Sequence, residues 1–189
     1  MPFSIVSQIQ INNNKVTVDG QEIDILFDND NLLKVLYEFL DLKYAKFHKM
    51  DELSKLGFIA SELLLNSKKI RSILDGLDKN KVGIILQNSD SSIDVDRKFN
   101  ESIKDNENYF PSPSLFVYTL ANIAIGEIAI RNDFKGEHGL FIFEQYVPDF
   151  SKNYIHNLFE QDKIEACIGG YFNANNSKYE AHFYFCVKN

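Results

Sequence analysis

The eight residues KVGIILQN, 81 to 88, constrain the fold more than any other stretch of this 189-residue chain. They form a continuous apolar run between polar flanks, without the alternation of a half-exposed strand, so the strand they predict is covered on both faces. Such a strand needs a layer above its sheet and another below. The fold class this implies is α/β, built on a mostly parallel sheet.

The neighbouring segments supply those layers. FSIVSQIQI, 3 to 11, alternates at period two and reads as a strand, and KVTVDGQEIDILF, 15 to 27, gives two further short strands around an Asp19-Gly20 turn. The period then becomes helical. NLLKVLYEFLDL sets Leu32, Leu33, Leu36, Phe39 and Leu40 along one stripe, and KMDELSKLGFIASELLL, 49 to 65, is a second helix with Asp51 as its N-cap. Residues 89 to 111 are polar and charged, and predict a solvated loop with a short helix. PSPSLFVYTLANIAIGEIAIRNDF, 111 to 134, reads as one long apolar helix with two prolines at its entrance, kept slim by Ala121, Ala124, Gly126 and Ala129. Glu127 interrupts it, which favours a core helix over a membrane span.

HGLFIFEQY then reads as strand, and SKNYIHNLFEQ as a helix whose strongly apolar face holds Tyr154, Ile155, Leu158 and Phe159. KIEACIGGYF and KYEAHFYFCVK are the last two strands, paired antiparallel through the NANNS turn. No repeat or linker divides the chain. It reads as a single domain, 1 to 189, with residues 8 to 47 as a strand and helix insert.

A net charge of -7 argues against binding a nucleic-acid backbone, whose affinity depends on Lys and Arg neutralising phosphates. No apolar run approaches the roughly 20 residues that span a bilayer, and the opening MPFS lacks the regions of a signal peptide, so a cytoplasmic protein without a membrane partner is expected. Cys167 and Cys186 both fall in strand-like runs and read as buried thiols rather than a disulfide or metal pair. GEHG at 136 to 139 lacks a third convergent metal ligand. Gly169-Gly170 lacks the spacing of a dinucleotide fingerprint and reads as a tight backbone turn. No cofactor and no metal are expected.

Four segments carry a resemblance. KMDELSKLGFIASELLL, VGIILQNSDSS, SPSLFVYTLANIAIGEIAIRNDFKG and IEACIGGYFNA resemble, in order, the first core helix, the second strand and its loop, the central motif, and the glycine-paired strand of the β-ketoacyl-ACP synthases. The resemblance covers residues 49 to 174, and its most specific part is the Pro-Ser-Leu-Phe entrance with Asn122, Gly126 and the Lys135-Gly136 exit. It implies half of a thiolase-like sandwich, a mixed, mostly parallel five-stranded sheet with helices on both faces.

In that family the nucleophilic cysteine lies nine residues beyond the glycine matching Gly136, and here that position is Gln145. An amide cannot act as the acyl-transfer nucleophile. The family's second half brings two catalytic histidines, whereas His48, His138, His156 and His182 stand in none of its motifs. The resemblance thus implies a catalytically dead accessory subunit in fatty-acid or polyketide synthesis of the aryl-polyene or flexirubin type, with no catalytic residue of its own. Two alternatives stay open: a partner-dependent acyl-ACP decarboxylase or acyltransferase, and an acyl-carrier-binding module without chemistry. The family pairs the strand before the nucleophile across its dimer axis. Gly139, Leu140, Phe141, Ile142 and Phe143 are accordingly expected to form an interface, in a homodimer or with a full-length ketosynthase. An acyl carrier protein is a further partner, and KKIR at 68 to 71 is one place it would meet.

Overall fold

The computed structural model describes residues 3–13, 15–25, 32–105, 107 and 109–189. Its centre is the strand predicted first: β4 (Val82–Asn88) is buried at every position. Around it lie β1 (Phe3–Asn12), β2 (Lys15–Val18), β3 (Gln21–Glu22), β5 (His138–Ile142), β6 (Ala166–Asn175) and β7 (Lys178–Lys188). The helices are α1 (Leu32–Phe39), α2 (Glu52–Leu65), α3 (Lys68–Asp75), α4 (Ile93–Ile103), α5 (Pro113–Tyr118), α6 (Ile123–Asn132) and α7 (Pro148–Glu160).

The described strands form one sheet in the order β3-β2-β1-β7-β6-β4-β5. Helices cover both faces, as expected of the α/β class, but the sheet has seven strands rather than five. Nor is it mostly parallel: β4 runs parallel to β5 and β6, while the other four pairings are antiparallel. Hairpins account for the difference. Asp19 and Gly20 hold positive φ of 51° and 80° between β2 and β3, and Asn176 and Ser177 hold 50° and 58° between β6 and β7, the backbone of tight two-residue turns. Each returns the chain beside the strand it has just left.

Alternate residues of β4 enter two cores. Val82, Ile84 and Leu86 face α2 and α6, whereas Ile85 faces α7 through Ile155, Leu158 and Phe159. Segment 8–47 contributes to the first core, since Leu32, Leu33, Leu36, Tyr37 and Phe47 all join it. These described residues therefore cover the α2 side. On that second side α7 packs against β4 and β6. Beyond its reach the sheet turns polar. Gln10 pairs with His182, and Asn12 with Glu180, between rows that point Ile9, Ile11, Ala181 and Phe183 into the first core.

Asp51 caps α2 as expected, its carboxylate accepting from the backbone N–H groups of Leu53 and Ser54 at 3.2 and 3.1 Å. The long apolar helix is in fact two. The chain leaves the helix over residues 119–122, and the Thr119 hydroxyl bonds back to the Phe116 carbonyl at 2.7 Å. The break lets α5 lie against α4 while α6 buries Ala124, Ile125, Ile128 and Ala129. Glu127 is also buried, and it pairs with Lys46 at 2.7 Å.

The glycines also differ from expectation. A Cβ on Gly126 would meet nothing within 4 Å, whereas one on Gly57 of α2 would sit 3.1 Å from the Phe172 ring, so Gly57 makes the close approach. Gly169 and Gly170 are interior to β6 and form no turn. A Cβ on Gly169 would meet the Tyr184 ring at 2.4 Å, and Gly170 holds φ +142° with its Cβ direction 1.9 Å from the His182 carbonyl oxygen.

Two alanine substitutions should therefore move stability in opposite directions. Gly126→Ala, in a helix interior with room for the methyl, is expected to add about 0.5–1 kcal/mol, roughly 1–4 °C in Tm. Gly170→Ala, which needs both a disfavoured φ and a shift of β7, is expected to lose at least about 3 kcal/mol. Thermal denaturation of the two variants measures both.

Candidate functional site

In open α/β sheets the crevice beyond the carboxyl ends of parallel strands is where ligands bind. Here that end is closed by two polar residues that sequence reasoning passed over, Gln87 and Asn88, both fully buried. Gln87 donates through Nε2 to the Val147 carbonyl and the Ser151 hydroxyl, each at 2.9 Å, and its Oε1 accepts from the Val147 N–H at 2.9 Å. Asn88 donates to the Phe172 carbonyl at 2.7 Å and to Asn173 Oδ1 at 3.0 Å, and accepts from the Ser91 N–H. One side chain fixes the β5–α7 connection, and the other fixes the loop after β4 to β6. Their signal in the sequence is an amide pair ending an otherwise apolar strand.

Gln145 lies on the connection that Gln87 holds. It is exposed, in a bend, and α7 begins three residues later with Pro148 at its first position. The helix read from SKNYIHNLFEQ thus starts three residues earlier than that stretch, at Pro148, where the proline and the Gln87 clamp set it. Gln145 is exposed three residues ahead of the helix rather than at a buried helix N-terminus.

Its neighbour Tyr146 is better engaged. The Tyr146 ring stacks on Tyr171, centroids 5.2 Å apart, and on His182 at 6.0 Å. The Tyr171 hydroxyl lies 3.1 Å from Ser89 Oγ, and His182 Nε2 lies 3.0 Å from Glu180 Oε1. Burial pushes both phenols above their ordinary value, against the opposing hydrogen bonds of Ser151 to Tyr146 and Ser89 to Tyr171. Neither is a base at neutral pH. Of the four histidines His182 is thus the one stacked on this bend. His48 packs edge-on against Tyr37 and Phe47, and His138 opens β5, its basicity lowered by burial against the pull of Glu137. His156 stands on α7 with a buried Nδ1 that has no partner among the described residues.

The two thiols are free and buried, as expected. Cys167 and Cys186 face each other across β6 and β7, and the Cys186 thiol donates to the Cys167 carbonyl at 3.5 Å. Burial pushes both well above the ordinary thiol range, so neither supplies a thiolate. Among the described residues no group of three or more His, Cys, Asp or Glu is placed to hold a metal, and no helix is long and apolar enough to cross a membrane.

The segment from Gly139 to Phe143 holds β5, the outermost strand beyond β4. It is less bare than an apolar edge implies. Phe141 packs on Phe150 and Tyr154 of α7 at 4.8 and 5.0 Å, and Phe143 on Phe150 at 4.8 Å, while Ile142 remains 48% exposed. In KKIR, Lys68 and Lys69 are exposed at the start of α3 and Arg71 bonds to Asn66 at 2.5 Å.

No protein-family model and no curated protein matches the sequence. Solved structures do match in fold. The ishigamide ketosynthase/chain length factor superposes over 100% of this chain with a TM-score of 0.74 at 14% identity. A type II polyketide acyl-carrier protein in complex with its ketosynthase (AntDE:AntF) gives 0.64 at 15% identity over 99% of the chain. The ketosynthase ApeO with its chain length factor ApeC, from Xenorhabdus doucetiae, gives 0.60 at 9% over 100%. The chain spans 62% of the length of the first two matched chains and 80% of the third. It has the thiolase-like fold of these proteins, and the resemblance in its sequence motifs is a resemblance of structure too.

The chemistry of the thiols gives a direct test. Native protein is expected to resist iodoacetamide at pH 8, with both cysteines modified once it is unfolded, as read by intact mass. Because burial raises both folded-state values, the linked stability is full below the unfolded thiol value of about 8.5 and falls as pH rises above it. Tm should therefore decline from about pH 8.5 upward.

Proposed function

We propose that this chain is a non-catalytic, ketosynthase-like accessory subunit that works beside a full-length ketosynthase in fatty-acid or polyketide-type synthesis, of the aryl-polyene or flexirubin kind. One observation carries the reading. Gln145, which the sequence resemblance matches to the family nucleophile, is exposed on a bend ahead of α7, while the chain's two thiols are buried in β6 and β7. Acyl transfer through a thioester needs an accessible thiolate at a helix start, where the dipole and free N–H groups stabilise charge. This chain presents an amide instead.

Two further features support association. β5 ends the sheet with one side paired to β4, and an exposed strand edge of apolar residues favours pairing with another chain. The solved structures of like fold include complexes of a ketosynthase with a chain length factor and with an acyl-carrier protein. The proposed interface therefore runs along Gly139, Leu140, Phe141, Ile142 and Phe143, and the protein works in the cytoplasm with those partners.

Co-expression with a full-length ketosynthase from the same cell, followed by native mass spectrometry, tests the reading. A stoichiometric complex is expected. Ile142→Lys, which places a charge on the exposed edge, should weaken it at least about tenfold, some 1.4 kcal/mol, with Tm unchanged. A chain that stays monomeric beside every ketosynthase of that cell would contradict it.

A further inference from the structure

The described surface gathers exposed apolar side chains in one short arm, residues 109 to 120. Tyr109, Phe110, Phe116, Val117 and Leu120 all stand out of it, with Phe110 77% exposed, Phe116 59% and Leu120 56%. Single exposed apolar side chains are ordinary, but a cluster of this kind marks a surface that meets a partner. We infer that this arm docks on the ketosynthase partner, and that the carboxylates around it select a partner surface edged with Lys and Arg over a second copy of this chain.

The arm is held from behind and presented outward. Only Tyr118 of α5 is buried, while Phe99 of α4 meets Phe116 at a centroid distance of 5.6 Å and Ser92 Oγ donates to the Thr119 carbonyl at 2.8 Å. These contacts leave Val117 and Leu120 facing solvent. Ser92 stands shortly beyond Asn88, the last residue of β4, so the arm lies at the carboxyl end of that strand. Ile142, the exposed last residue of β5, is paired with Asn88 at the same level. The arm thus extends the edge already proposed as an interface.

Charge decides which partner fits. No charged residue occurs from 109 to 126, whereas over 90 to 107 six acids stand against three bases. Asp105 and Glu107 are exposed just before Tyr109, and Asp96 is exposed on α4 with its Oδ2 3.1 Å from the same Ser92 hydroxyl. The bases there are engaged elsewhere: Arg97 pairs with Asp94 at 3.3 Å, Lys104 with Glu101 at 3.4 Å, and Lys98 lines a recess with Glu52. Two copies meeting through this arm would set the carboxylates of one against those of the other, on chains of net charge -7. An anionic lipid surface is repelled in the same way. A protein surface with an apolar centre and a basic edge gains both contacts. The partner's name rests on the accessory-subunit reading, whereas the arm and the charge it selects rest on the surface itself.

Binding of the full chain to the ketosynthase of the same cell, measured at about 0.05 and 0.5 M salt together with amide hydrogen exchange, tests the inference. Slowed exchange across 109 to 120 is expected, with affinity at least about fivefold weaker at the higher salt. Phe116→Ser combined with Leu120→Ser should weaken the complex at least about tenfold. Asp105→Lys combined with Glu107→Lys, outside any helix or strand, should weaken it too, and guards against a folding defect in the first variant. A complex with unchanged exchange at the arm and unchanged affinity in both double variants would overturn this inference and leave the accessory-subunit reading standing. A chain that binds no ketosynthase would overturn both. Self-association lost in the Phe116→Ser and Leu120→Ser variant would make a second copy the occupant and overturn the inference as well.

Discussion

The burial of β4 on both faces is the constraint on which the rest of this structure depends. A strand with no solvent-facing side chain must hold a helix layer on each side and a paired strand along each edge, and β4 has all four. Its alternate residues divide the interior into two cores of unequal size. The larger, under α2 and α6, also takes in α1 and the aromatic turn at 45–49; the smaller is closed by α7. From that inequality comes the open polar face beside α7, where the side chains of β1 and β7 meet solvent.

The two amides at the end of β4 turn this scaffold into a site. Buried amides must find partners, and Gln87 and Asn88 find theirs in the β5–α7 connection and in β6. They thereby fix where α7 starts, where Gln145 is displayed, and how the end of β4 is tied to Phe172 and Asn173 of β6. An approach of this kind resembles one built for a nucleophile, yet its tip carries a solvent-facing amide and the thiols lie within the core. On the proposed reading geometry and chemistry separate: the fold is present, and the position matched to the nucleophile by the sequence resemblance carries an amide.

The features legible in the sequence were those that local physics decides. The unbroken apolar run of β4, the Asp51 cap and the two tight hairpins each follow from a few neighbouring residues, and each is found in the structure. The buried state of Cys167 and Cys186 followed from strand patterning in the same way. Features set by distant partners were not legible. The break after Tyr118 depends on where α5 and α6 find their packing, which an apolar stripe does not encode. The glycine pair in β6 serves the Tyr184 ring and the His182 carbonyl, residues twelve or more positions away. Counting strands while passing over their hairpin order made the sheet look mostly parallel. The polar face beside α7 was hidden for a related reason: alternate polar residues in β1 and β7 show that they share one face only once register brings them together with the asparagines of β6.

The central proposal is that an exposed Gln145 and two buried thiols leave this polypeptide without a thioester-forming nucleophile of its own. Its most direct test is the intact mass of the purified chain after incubation with malonyl- and acetyl-loaded acyl carrier protein. An unchanged mass is predicted. A stoichiometric acyl adduct on the isolated chain, at Gln145, at either cysteine or elsewhere, would contradict it.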